Sequence, residues 1–74
     1  MDKVSIGMNA GIVWRMVRDR GPVMSYNELK SSTGLSDRDL NTAIGWLARE
    51  NKIEFATNSD DGSDLLFVEL NVYF

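Results

Sequence analysis

The residues best suited to chemistry lie in one stretch, Thr33 to Glu50. Arg38 and Arg49 can donate paired hydrogen bonds to guanine or to phosphate, and Asn41 can pair with adenine. Thr42 can touch a phosphate or a thymine methyl. Gly45 leaves the middle of the stretch bare, which lets a backbone approach closely; the plainer reading is a tolerated, slightly destabilising glycine. Backbone N–H groups of Tyr26 and Asn27, opening an earlier helix, can hold a phosphate. These seven are the candidate DNA contacts. For any single arginine the plainer reading is a solvated surface charge.

Catalysis finds no comparable group. The chain has serines but no histidine to activate them, and no Ser-x-x-Lys pair. Tyrosines and lysines are not clustered. The expectation is a protein that is not an enzyme. Zero Cys and zero His exclude thiol nucleophiles, His bases, Cys/His zinc sites and haem-type ligation. Asp60-Asp61-Gly62-Ser63-Asp64 is the one stretch that invites a hard cation. It fails the EF-hand spacing, because a loop set by Gly62 would put Val68 where the bidentate Glu belongs. An acidic solvated turn is the reading taken. No metal and no cofactor are expected.

The element that positions the arginines is a capped amphipathic helix. Gly34 suits a left-handed residue closing the helix before it. Ser36 is a good N-cap, Asp39 stands at the third helical position, and Leu35 with Leu40 is placed as a hydrophobic staple. Leu40, Ala43, Ile44 and Leu47 recur at helical spacing as one buried stripe. Arg38, Asn41, Thr42, Gly45 and Arg49 lie opposite, with Trp46 at the border. A short turn into such a helix is how a helix-turn-helix presents its second helix.

Taken in order, the chain opens with a helix over residues 6–20. Ile6, Ala10, Val13 and Val17 make one stripe, with Trp14 at its edge. Met8, Ile12 and Met16 make a second, well around the helix from the first. A surface helix needs one apolar face. The second stripe is read either as a helix wedged within its own core or as a subunit interface. Gly21-Pro22 ends the helix. Val23-Met24 fits a minimal strand. Ser25 and Glu28 form a capping box for a helix over 26–33, stapled by Met24 and Leu29. After the third helix, Ile53, Phe55 and Thr57 alternate with Glu54 and Ala56 as a half-buried strand. Residues 58–63 are loop chemistry. Leu66, Val68, Leu70, Val72 and Phe74 then share one face of a last strand longer than its partner. The predicted fold class is α+β: a winged helix-turn-helix, three helices with a small antiparallel wing sheet, in the order α1-β1-α2-α3-β2-β3.

With 74 residues, one domain spanning 1–74 with one small core is expected. The first residues carry no apolar core of signal-peptide length, and no run reaches the roughly 20 apolar residues of a membrane span. A cytoplasmic protein without membrane association is expected. The net charge is −3, where strong nonspecific DNA affinity usually leaves a basic footprint.

The chain resembles the small stand-alone winged helix-turn-helix proteins of bacteria and archaea, a family of unknown function. The resemblance is carried by residues 8–14 (MNAGIVW), 25–29 (SYNEL), 33–40 (TGLSDRDL), 43–55 (AIGWLARENKIEF) and the closing 71–74 (NVYF). It spans nearly the whole chain. It implies a winged-helix fold and a homodimer, and no established activity. The residues expected at the dimer interface are Met8, Ile12, Met16, Val72 and Phe74.

The function read from the sequence is a DNA-binding module in transcriptional regulation, acting as a homodimer on double-stranded DNA. The alternative is a winged helix that contacts a protein partner and no nucleic acid. Asp37, Asp39 and Glu50 flanking the third helix, the acidic wing and the bordering Trp46 favour that alternative.

Overall fold

The computed structural model describes residues 1–68. Its elements are α1 (Lys3–Arg20), β1 (Val23–Ser25), α2 (Tyr26–Thr33), α3 (Asp37–Arg49), β2 (Glu54–Thr57) and β3 (Asp64–Phe67). The order is the one the sequence predicts. The continuation of the last strand through Leu70, Val72 and Phe74 lies outside the described residues.

Helix α1 begins three residues earlier than the apolar period predicts. Asp2 caps it, its carboxylate accepting the Ser5 N–H at 2.7 Å. The cap stands ahead of the first apolar residue that the period detects, so periodicity alone misses it. The helix stops at Gly21, whose N–H reaches the Val17 carbonyl at 2.8 Å. A Cβ on Gly21 would run into that same carbonyl oxygen, so the close turn into Pro22 needs glycine.

Helix α2 carries the full capping box. Glu28 N–H donates to Ser25 Oγ at 3.1 Å, and Ser25 N–H donates to the Glu28 carboxylate at 3.0 Å. Gly34 follows at φ 71°, the left-handed position that a Cβ disfavours. Helix α3 is capped by Ser36, which accepts the Asp39 N–H at 3.2 Å. Asn51, at φ 57°, turns the chain out of α3, and Lys52 N–H returns to the Leu47 carbonyl at 2.9 Å.

The sheet order is β1-β3-β2, all antiparallel, with Met24 and Phe55 both opposite Leu66. The core joins Ala10, Val13 and Val17 of α1, Met24, Leu29 of α2, Leu40, Ala43, Ile44 and Leu47 of α3, Ile53 and Leu66. Helix α3 packs chiefly on α1. Each of these larger side chains contributes about 1.5–3 kcal/mol by leaving water, which is what fixes α3 with its other side outward.

Two expectations need correction. The alternation at 53–57 predicts a half-buried strand, but all four residues of β2 are exposed, with Phe55 at 50%. β2 is an edge strand, and the helices make no substantial contact with it. Only Ile53, just before it, reaches the core. Thr42, expected on the exposed face, is half-buried.

Candidate nucleic-acid interface

The outward side of α3 begins with Arg38 and ends with Arg49. Arg38, Asn41, Gly45 and Arg49 are exposed, opposite the buried Leu40, Ala43, Ile44 and Leu47. The two arginines lie 11 residues apart on nearly the same line, roughly 16 Å along the axis. Neither forms a salt bridge among the described residues. Thr42 does not offer a free hydroxyl hydrogen: it donates to the Asp39 carbonyl at 2.9 Å. That bond draws the side chain back onto its own helix.

Asp37 opens α3, where its charge alone opposes a polyanion. Lys30 Nζ stands 3.0 Å from its carboxylate, and the Tyr26 hydroxyl donates to the same oxygen at 2.9 Å. The lysine first, then the tyrosine, hold the Asp37 carboxyl below the usual carboxylate range. Partial burial, and then the bond to Asp37, push the Tyr26 hydroxyl above its ordinary value. This cluster ties α2 to the start of α3 across the turn and offsets one acidic charge. Spacing gave no sign of it, because Lys30 and Asp37 meet only through the angle between the two helices.

The phosphate cradle expected at Tyr26 and Asn27 is compromised. Asn27 is exposed, but the Glu28 carboxylate sits over the start of α2 on the Ser25 N–H. That N–H holds Glu28 below its ordinary pKa, so a negative charge faces any incoming phosphate. The wing turn is also acidic. Asp61 accepts the Ser63 N–H at 2.9 Å and Asn58 accepts the Asp60 N–H at 2.8 Å, and these bonds shape the turn. No group of three acidic residues converges as a metal site among the described residues.

The expected interface stripe on α1 divides. Met8 is 66% exposed, Ile12 is half-buried, and Met16 packs against the chain's own core. Val4, one helical turn before Met8, is also exposed, as is Met1. Val72 and Phe74 lie outside the described residues.

A family model described as a winged helix-turn-helix domain (DUF2582) matches residues 1–68. The chain belongs to this family. Among solved structures, it is similar to the solution NMR structure of protein BT2368 from Bacteroides thetaiotaomicron. The identity there is 36%, the TM-score 0.78, and the match covers 93% of this chain and 80% of that one. It is also similar in fold to a HOP2 structure, at 22% identity and TM-score 0.66, over 82% of this chain and 98% of that one. The HOP2 structure is described in terms of DNA recognition and protein interaction domains. No curated protein matches the chain. Among the described residues, no helix is long and apolar enough to cross a membrane.

Proposed function

We propose that this winged helix binds double-stranded DNA through the outer face of α3, as a homodimeric cytoplasmic regulator of transcription. We take residues 1–74 as one domain that needs no catalytic group, metal or cofactor. The observation that carries the reading is the line from Arg38 to Arg49: two exposed cations, neither in a salt bridge among the described residues, on a helix whose opposite side is buried. The offset of Asp37 by Lys30 supports it. The acidic wing stays clear of phosphate in this reading, so α3 supplies the contacts and affinity is modest. Strength comes from phosphate contacts and specificity from base edges.

The test is a titration of wild type and Arg38→Glu/Arg49→Glu against mixed-sequence and selected duplexes at low salt. The double reversal should weaken binding about tenfold or more, because each phosphate contact carries counterion release. Its melting temperature should stay near that of wild type, since neither arginine touches the core. Wild type that binds no duplex overturns the reading.

A second reading, docking of a protein partner, is favoured by one observation. Trp46 is 44% exposed beside the arginine line, and tryptophan is a frequent interface anchor. Loss of a protein complex on Trp46→Ala, with no DNA binding by wild type, would favour it.

A further inference from the structure

We propose that Gly45 is the point where α3 comes closest to the duplex, its missing side chain letting the helix seat in the groove; this rests on the DNA-binding reading above. A glycine inside a helix weakens it relative to alanine, so its place needs a cause. The fold supplies none. A Cβ built on Gly45 meets nothing within 4 Å, and its backbone is ordinary helix. Gly21 and Gly34 each have a structural reason; Gly45 has none, and neither does Gly7 of α1, so what sets Gly45 apart is where it stands.

Position supplies the cause. At about 100° per residue, Arg38, Gly45 and Arg49 fall within about 40° of one another, at the centre of the outward face. Arg38 lies roughly 10 Å to one side along the axis and Arg49 roughly 6 Å to the other. Thr42, the next residue on this face, is bonded back onto Asp39 and does not stand out. The result is a gap in the side-chain cover at Gly45, flanked by the exposed Asn41 and Trp46, with a cation towards each end of the helix. A helix with its side chains is about 10–12 Å across, and the major groove is about 12 Å wide. A bare centre lowers the helix on the side that enters, so that its backbone nears the base edges while the arginines reach past it. An apolar protein surface would gain nothing from a notch closed by two charges.

The test uses the full chain with Gly45→Ala and Gly45→Gln, a mixed-sequence duplex at low salt, heparin as a flexible polyanion, and thermal melting. Both variants should melt higher than wild type, Gly45→Ala by roughly 4–8 °C. Duplex affinity should nevertheless fall, about tenfold for Gly45→Gln and less for Gly45→Ala, the loss of an overfilled contact. Heparin affinity should not change, because it needs charge and no groove. Variants that bind duplex as well as wild type overturn the proposal and leave the DNA reading standing. Wild type that binds no duplex overturns both. A lower melting temperature in Gly45→Ala would give the glycine a structural role and also overturn it.

Discussion

Asp37 shows how a residue can be read and placed correctly while its partners go unseen. Its acidity next to Arg38 is plain in the sequence, and it argues against a polyanion there. The fold brings Lys30 and Tyr26 onto the same carboxylate oxygen. No sequence spacing reports a contact between two helices across a turn. Arg38, Asn41 and Arg49 are different, because their exposure follows from the helical period alone. The pH dependence of stability follows from the carboxylates. Asp2, Glu28, Asp37 and Asp61 are all held below their ordinary values, the first, second and fourth by backbone or side-chain hydrogen bonds and Asp37 chiefly by Lys30. A depressed carboxylate stabilises the fold at pH above its unfolded value, and that contribution is lost as pH falls through the folded one. The melting temperature should therefore be level from neutral pH to about 5 and decline below about 4. Asp37→Asn should shallow this acid limb in a melting series. An unchanged limb would mean that the Lys30–Asp37 contact adds nothing to stability.

At the scale of elements, the capped helices were legible and the edge strand was not. A cap is a local contract between residues three apart, so Ser25 with Glu28 and Ser36 with Asp39 were readable directly. The buried stripe of α3 was readable for the same reason. Strand β2 failed because alternation reports a preference and not a cover. Phe55 shares a face with Leu66 across the ladder, yet no helix lies over it. The turn after α1 gives a prediction at this scale. Gly21→Ala should destabilise the domain by about 1–3 kcal/mol, the cost of overpacking, because the new methyl meets the Val17 carbonyl. Chemical denaturation measures it. A midpoint equal to wild type would show that the turn can open without loss.

For the whole molecule, the architecture was legible and the partner was not. Helix order, turn and wing depend on contacts within the chain, and these leave periodic traces. A DNA or subunit contact leaves only exposed residues, and exposure has many causes. The second stripe of α1 illustrates this: Met16 serves the chain's own core, whereas Met8 faces outward with Val4. The homodimer reading rests on that outward part. Two-fold self-association is the commonest way to cover such a surface. Sedimentation at high micromolar concentration should give a dimer, and Met8→Glu should give a monomer; a wild-type monomer throughout would remove the homodimer. The central claim is that the outer face of α3, and not the wing, meets DNA. The most direct measurement is a titration of isotopically labelled protein with a mixed-sequence duplex at low salt, followed by backbone amide shifts. Shifts should concentrate from Arg38 to Arg49, spare residues 58–64, and reverse on adding salt. Shifts centred on the wing or on α1, or none at all, would contradict the account.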